Sequence, residues 1–173
     1  MKKIGLFYGT TSGFTQVVAE QIKTELGNVF VYQDIGKTKP EDMLACEQLV
    51  LGIPTWDDGQ LQSDWWSFYD KMNGMDFKGK TVAIFGLGDQ NGYPDTFLDA
   101  VGTLGNKIIE RGGSLIGAWP TDGYTFNKST AVQNGKFMGL AIDTIAQDEL
   151  TAERVAKWVA QIKTEFEADV PVA

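Results

Sequence analysis

Residues 3–18 read KIGLFYGTTSGFTQVV, and this stretch decides the fold. Its first half is a short apolar run that favours a buried β-strand. From Phe14 to Leu26 apolar residues recur every four positions, which predicts an amphipathic helix. Four hydroxyl residues and no cation surround the junction between the two. A strand that passes through a polar loop into a helix is typical of a parallel α/β sheet.

The same alternation of apolar runs and helical patterns continues along the chain. Strands are predicted at residues 3–8, 29–33, 48–54, 81–86 and 114–119. Helices are predicted at 14–26, near 40–45, over 61–72, from 97 to a close at Gly112–Gly113, and up to Phe166 after an N-cap at Thr151. Alternating strands and helices form a parallel sheet with helices on both faces, so we predict one three-layer α/β domain over residues 1–173.

Residues 120–136, PTDGYTFNKSTAVQNGK, break this alternation. They are polar, rich in turn residues and longer than a typical connection. An apolar run, FMGLAI, resumes at residues 137–142. We interpret residues 120–136 as an insertion that interrupts or doubles the fifth strand.

The composition excludes several kinds of chemistry. The 173 residues include no histidine, which removes histidine bases, Ser–His or Cys–His catalysis and histidine-bound metals. Cys46 is the only cysteine, so no internal disulfide can form. A formal net charge of -8 argues against nucleic acid and suits docking on basic partners, although solubility alone would also explain it. With no bilayer-length apolar run and no signal-peptide pattern, we expect a soluble, cytoplasmic protein.

The first loop, residues 9–15, is suited to an anion. It lies where a helix begins, so free N–H groups and the helix dipole favour negative charge there. The hydroxyls add donors, and Gly13 lets the backbone come close. The lysine of a Walker loop is absent, and so is a GxGxxG dinucleotide fingerprint. The pattern indicates a phosphate held by neutral donors, or else only a helix capped by Ser12 or Thr11.

Two more loops follow buried strands: the second loop at 54–60 and the third loop at 87–96. The carboxyl ends of parallel strands share one edge of the sheet, so all three loops are expected to meet there. The second loop carries Trp56 and the third carries Tyr93. Either ring alone can simply pack on its own fold. Two rings beside a phosphate loop favour a flat ligand held between them.

Taken together, four stretches resemble the flavodoxins, specifically the long-chain kind. They are IGLFYGTTSGFT, LGIPTWDDGQLQSDW, VAIFGLGDQNGYPDTFLDAVG, and WPTDGYTF followed by GKFMGLAID. The resemblance implies a doubly wound sandwich whose five-stranded parallel sheet has the order 2-1-3-4-5, with the insertion in the fifth strand. Flavodoxins themselves exemplify ligand binding at the switch point of such a sheet. The implied cofactor is non-covalently bound FMN, with no metal.

The resemblance also implies roles for particular residues. The FMN phosphate would be held by Thr10, Thr11, Ser12, Gly13, Phe14 and Thr15. The isoalloxazine would lie between Trp56 and Tyr93. Ring and ribityl atoms would contact Pro54, Thr55, Asp57, Asp58, Gly59, Leu87, Gly88, Asp89 and Thr96, and Asp143 would approach the ribityl chain. Phe14 replaces a polar residue often found at that position, and its amide is the expected contact.

The implied function is low-potential, one-electron transfer between semiquinone and hydroquinone, without substrate turnover. The Asp58 N–H would donate to flavin N5 before reduction, and the Asp57 carbonyl would accept from it afterwards. A carboxylate ~8 Å from the flavin at an effective dielectric of ~20 costs roughly 2 kcal/mol, on the order of 90 mV for one electron. Expected partners are basic-surfaced redox proteins, such as a flavodoxin/ferredoxin NADP reductase and a low-potential acceptor enzyme. A monomer is expected, with no membrane or nucleic-acid partner.

Two other functions suit the same fold. An FMN-dependent quinone reductase needs open space over the flavin, which stacked Trp56 and Tyr93 would cover. Saturable NAD(P)H oxidation would favour that reading. A phosphoacceptor receiver needs carboxylates at the end of the first strand, where Tyr8–Gly9–Thr10 offers none. Labelling by acetyl phosphate would favour the receiver.

Overall fold

The computed structural model describes residues 2–168, which form an α/β fold with five α-helices and ten strands. The strands are β1 (Ile4–Tyr8), β2 (Val29–Asp34), β3 (Gln48–Trp56), β4 (Gln60–Leu61), β5 (Thr81–Leu87), β6 (Ser114–Ile116), β7 (Trp119–Pro120), β8 (Val132–Gln133), β9 (Lys136–Phe137) and β10 (Leu140–Ile142). The helices are α1 (Phe14–Leu26), α2 (Pro40–Leu44), α3 (Ser63–Lys71), α4 (Asp99–Glu110) and α5 (Thr151–Ala168). Short 3₁₀ turns lie at Ile35–Lys37, Met72–Gly74 and Asp148–Leu150.

The main sheet confirms the predicted strand order. Strands run β2-β1-β3-β5, and all neighbours in this series are parallel. The fifth position is shared by two segments, because β6 pairs with Thr81–Ala83 and β10 pairs with Phe85–Leu87. The insertion therefore splits the fifth strand into two halves that both lie parallel to β5.

The insertion is longer than the sequence indicated. Trp119 and Phe137, predicted to belong to the fifth strand, instead pair with each other in a small antiparallel sheet of order β7-β9-β8. The chain leaves the main sheet at Gly117, whose φ of 82° is strained for any other residue. It returns at Gly139, where a Cβ would collide with the carbonyl oxygen of Ile84. Two glycines thus set the ends of the insertion.

Helices cover both faces of the main sheet, which confirms the three layers. Along β3, Leu49 and Leu51 face the cluster that contains α3 and α4, whereas Val50 faces the cluster that contains α1 and α5. Trp65 anchors the first cluster and Trp158 the second, and both are fully buried. Because both faces are covered, the central strands read as continuous apolar runs rather than alternating ones.

The observed helix ends match some of the predicted helix boundaries and differ from others. Gly27 closes α1 as expected, with φ 78° and its N–H 3.0 Å from the Lys23 carbonyl oxygen. Helix α4 begins at Asp99 rather than 97, after Leu98 at φ 59°. The predicted N-cap at Thr151 is wrong: a 3₁₀ turn leads directly into α5, and Thr151 already has helical backbone angles. Within residues 2–168, no helix is both long and apolar enough to cross a bilayer.

Candidate ligand site at the carboxyl edge of the sheet

The three predicted loops meet at one edge of the sheet. Gln62, which follows the second loop, donates from Nε2 to the Thr10 carbonyl oxygen at 3.3 Å and to Thr11 Oγ1 at 3.3 Å, so it ties this region to the first loop. Thr55 Oγ1 accepts from the Ala100 N–H at 3.1 Å, which ties the second loop to the start of α4. Gly59 lies so close to Thr96 that a Cβ would contact its side chain at 3.3 Å. The convergence expected from the strand order is therefore present.

The first loop has the features of an anion site. Helix α1 begins at Phe14 directly after Gly13, which has φ 92°, and no side chain of the described chain caps it. The alternative of a helix capped by Ser12 or Thr11 is therefore wrong. Thr10 Oγ1 instead accepts from the Gly13 N–H at 2.9 Å and shapes the turn before the helix. The first-turn N–H groups have no intrahelical acceptor, and exposed Thr11 and Ser12 add hydroxyls beside them.

The second loop is a tight hairpin with an unusual backbone. Trp56 pairs with Gln60 across the end of β3 and β4, and Asp57 and Gly59 have φ values of 46° and 89°. Aspartate is one of the few non-glycine residues that tolerate this region. Pro54 is buried beneath the hairpin, whereas Trp56, Asp57 and Asp58 are exposed. The Asp57–Asp58 peptide is thus held at a solvent-accessible turn.

The third loop is organised by Asp89. Its Oδ1 accepts from the N–H groups of Asn91 and Gly92 at 3.2 and 2.8 Å, and its carbonyl oxygen accepts from the Tyr93 N–H at 2.9 Å. This turn carries Tyr93 to the surface, where its side chain is 42% exposed. The Gly88 N–H donates to the Ile142 carbonyl oxygen at 3.0 Å and joins the loop to β10. Leu87 is buried at the end of β5.

Thr96 places an unpartnered polar atom beside the second loop, one of four such buried side-chain atoms among residues 2–168. Its Oγ1 is buried and has no hydrogen-bond partner among residues 2–168. A buried hydroxyl without a partner costs free energy, so native structures rarely keep one without a reason. The neighbouring Gly59 backbone brings the second loop beside it. A polar group of a ligand lying between the two loops would satisfy this hydroxyl.

Asp143 lies directly behind the third loop, just after β10. Its side chain is fully buried, and its carboxylate accepts from the Gln90 N–H and Nε2 and from the N–H groups of Ile145 and Ala146, at 2.9 to 3.0 Å. Four donors contact its two oxygens, so the carboxylate anchors the third loop to the end of β10. The approach of Asp143 to a ribityl chain stays a prediction.

Two glutamines that hold the site together escaped the sequence analysis. Gln62 caps α3, accepting from the Trp65 N–H at 3.2 Å, and reaches the first loop with its amide nitrogen. Gln90 connects the third loop to Asp143 and accepts from the Thr125 N–H of the insertion at 2.7 Å. The helix predicted over residues 61–72 placed Gln62 inside its first turn, and glutamine is an uncommon N-cap, so no sequence signal indicated its capping role. No sequence pattern indicated Gln90.

The charged side chains of the three loops are all negative. Residues 9–18, 54–60 and 86–96 contain no lysine or arginine and include Asp57, Asp58, Asp89 and Asp95. At the base of the first loop, burial and the nearby Asp34 carboxylate raise the pKa of Tyr8, so its phenol is neutral at physiological pH. A ligand here would meet neutral donors and surrounding carboxylates.

Fold and site together define a doubly wound α/β protein whose first loop is suited to an anion and which carries two exposed aromatic residues at the switch point of the sheet. The sequence model of the flavodoxin family matches residues 6–158. Flavodoxins from two Nostoc strains are 52% identical to it over 166 residues, covering 95% of this chain and 98% of theirs. Flavodoxin 1 of Escherichia coli is 46% identical over 167 residues, covering 95% of each chain. The chain belongs to the flavodoxin family, and its split fifth strand is that of the long-chain type.

Solved structures agree with this assignment. The crystal structure of Fusobacterium nucleatum flavodoxin bound to flavin mononucleotide has a TM-score of 0.91 and 32% sequence identity, covering 95% of this chain and 99% of that one. Oxidised Flavodoxin 2 from Bacillus cereus has a TM-score of 0.76 and 30% identity, covering 95% of this chain and 99% of that one.

Proposed function

We propose that this protein binds FMN non-covalently and transfers single electrons at low potential. The observation that carries the proposal is the meeting of three loops around free helix N–H groups, two exposed rings and the unpartnered Thr96 hydroxyl. The similar Fusobacterium protein holds flavin mononucleotide. When bound, FMN supplies one-electron redox chemistry in its isoalloxazine ring.

The first loop binds the phosphate end with neutral donors. The N–H groups at the start of α1 and the hydroxyls of Thr10, Thr11, Ser12 and Thr15 are the donors available. No arginine or lysine of this stretch offsets the phosphate charge, so the site keeps a net negative potential. Phe14 contributes its amide only, since its side chain points to solvent and is 57% exposed.

The second and third loops orient the ring. Trp56 and Tyr93 supply the aromatic surfaces, and the loop peptides supply polar contacts to the ring edge. The Asp57–Asp58 peptide is suited to presenting either its N–H or its carbonyl oxygen to a ring nitrogen, because Asp57 already has a left-handed backbone. The protein can thereby offer a donor or an acceptor at the same place.

The carboxylates around the loops lower the affinity for added electrons. Asp57, Asp58, Asp89 and Asp95 all lie within the second and third loops. Each of these carboxylates repels an electron added to the flavin, and this repulsion is stronger where ions in solution screen it less. The second one-electron potential is therefore expected to be strongly negative.

Electron transfer without substrate turnover is the function we propose, in place of a quinone reductase. The three loops contain no histidine and no basic residue that would bind a nicotinamide phosphate. Basic-surfaced redox proteins are the proposed partners, and the cytoplasm is the proposed compartment. Purified protein with FMN should show no steady-state NAD(P)H oxidation with quinones, and saturable turnover would contradict this part of the proposal.

A binding experiment tests the cofactor directly. FMN fluorescence should be quenched on titration with FMN-free protein at a stoichiometry of one, and riboflavin should bind more weakly because the first loop then has no phosphate to hold. Equal affinities for FMN and riboflavin would contradict the role given to the first loop.

A further inference from the structure

A groove opens beside the ligand site, between the β3–β4 hairpin and helix α3. It encloses about 660 Å³, and its walls include Thr11, Trp56, Asp57, Gln60, Ser63 and Trp66. Its nine lining residues include two tryptophans and one carboxylate, and none of the nine is a lysine or arginine. The groove thus combines aromatic surface with negative charge, immediately next to the proposed flavin position.

Within residues 2–168, the Trp66 side chain makes no hydrogen bond and no contact with another aromatic ring. The adjacent Trp65 is fully buried, and its Nε1 donates to the Gly52 carbonyl oxygen at 2.8 Å. Trp66 projects from the outer face of α3 and is 62% exposed. A large exposed aromatic side chain gains nothing in the free protein, whereas tryptophan is enriched among the residues that dominate protein–protein binding energy. Trp66 is therefore placed to bind something outside the chain.

The charges around the groove select the kind of group that fits it. Asp57 lies in its wall, and its side chain is an exposed carboxylate. A guanidinium suits both features, because it is planar, stacks on aromatic faces and pairs with a carboxylate through two parallel hydrogen bonds. A lysine ammonium would use the charge but is more strongly hydrated and stacks less well.

We propose that this groove receives an arginine side chain from a basic-surfaced protein partner, stacked on Trp66 and paired with Asp57. The inference rests on the proposed function, since it specifies the partner chemistry of an electron carrier. Trp56 also lines the groove. An arginine seated there holds the partner beside the edge of the flavin site. The acidic chain, with its formal net charge of -8, favours the approach of such a partner.

The test uses ¹⁵N-labelled, FMN-loaded protein and three end-blocked peptides: Gly-Arg-Gly-Arg-Gly, its lysine counterpart and its citrulline counterpart. The indole N–H resonance of Trp66 reports binding to the parent protein, and the backbone N–H resonances of Asp57 and Gln60, which also line the groove, report it in every variant. The variants are Trp66→Ser and Trp66→Leu, with Phe30→Ser as the matched control, because Phe30 is equally exposed on the edge strand β2. The FMN affinity of each variant is measured separately by fluorescence quenching.

The arginine peptide should shift the Trp66 resonance and bind about two- to fivefold more tightly than the lysine peptide, with no binding of the citrulline peptide. Both Trp66 variants should lose this preference, and Phe30→Ser should keep it. Equal binding of the two cationic peptides would overturn the proposal, since it indicates charge attraction alone. So would a preference that survives in Trp66→Leu, which indicates that stacking on the Trp66 ring is not its source. Shifts that depend only on protein concentration would also overturn the proposal, since they indicate a second copy. Failure of the parent protein to bind FMN would count against the proposed function instead.

Discussion

Asp57 combines two properties that usually require different residues. Its backbone is in the left-handed region, with φ 46°, and its side chain is an exposed carboxylate in the second loop. Glycine would relieve the backbone, but it would remove the charge as well. Aspartate keeps both the turn and the negative potential, because it tolerates left-handed angles better than most residues.

Replacing Asp57 by asparagine separates these properties, since asparagine also tolerates φ > 0. Asp57→Asn should raise the second one-electron potential of the FMN-loaded protein by tens of millivolts, with an upper bound on the order of 90 mV before ionic screening. Potentiometric titration at low and high salt measures this. Asp76→Asn, ahead of β5 and outside the three loops, is the control. Equal shifts in the two variants would contradict a local effect.

The variant Thr96→Val tests whether the Thr96 side chain contacts the ligand. Thr96→Val removes a hydroxyl that has no partner in the described chain, so the unfolding free energy of FMN-free protein should stay the same or rise by up to ~1 kcal/mol. FMN affinity should fall by about three- to tenfold, the value of one neutral hydrogen bond. Thr151→Val is a matched control, because the Oγ1 of Thr151 in α5 is likewise buried and unpartnered within residues 2–168. Unchanged FMN affinity in Thr96→Val would remove Thr96 from the site.

The insertion and the third loop are connected through buried polar groups. Asp143, at the end of β10, binds Gln90 of the third loop, and Gln90 in turn accepts from Thr125 of the insertion. Arg154 of α5 donates to Gln147 Oε1 at 2.8 Å, and Gln90 Nε2 donates to the same oxygen at 3.0 Å. The insertion therefore has a structural role in bracing a loop of the ligand site.

Asp143→Ala should be strongly destabilising. It leaves four N–H donors without their acceptor, the two of Gln90 being buried, so we expect the unfolding free energy of FMN-free protein to fall by about 3 kcal/mol in urea titrations. Amide exchange at Gln90 should accelerate more than exchange in β1. Asp122→Ala, an exposed aspartate of the insertion, is the control. A stable Asp143→Ala variant with an unchanged third loop would contradict the bracing role.

Tyr124 attaches the insertion to β10 and predicts an alkaline transition. Its hydroxyl donates to the Ala141 carbonyl oxygen and accepts from Trp119 Nε1 at 3.0 Å, and burial raises its pKa to about 12. Between pH 10 and 12 the Tyr124 phenol stays protonated in the folded state but ionises in the unfolded state. The free energy of unfolding therefore keeps its full value below about pH 10 and falls as the pH rises towards 12.

The Tyr124→Phe variant should lose less stability than the parent protein between pH 10 and 12, by about 2 kcal/mol. Urea unfolding across this range measures the difference in slope. Both proteins should retain some alkaline loss, because burial also raises the pKa values of Tyr8 and Tyr32. Parallel stability curves would show that Tyr124 does not titrate on unfolding.

Across the whole molecule, the features that were predicted most accurately are those that depend on local sequence patterns. Apolar periodicity placed α1 at Phe14–Leu26 and β1 near its observed bounds, and parallel topology brought the three loops together. The sequence could not show that Trp119 and Phe137 pair with each other, because apolar residues favour either sheet equally. Nor could it show that Asp143 is buried, because two of the N–H groups that its carboxylate accepts from belong to Gln90, far away in the sequence.

The central claim is that the three loops together bind FMN through neutral donors, and the visible absorption spectrum tests it most directly. FMN-free protein incubated with a small excess of FMN and then passed through a desalting column should be yellow, with one flavin per chain. The flavin bands should be shifted from those of free FMN, because the ring lies against Trp56 and Tyr93. A colourless eluate from protein whose circular dichroism shows a folded α/β chain would contradict the claim.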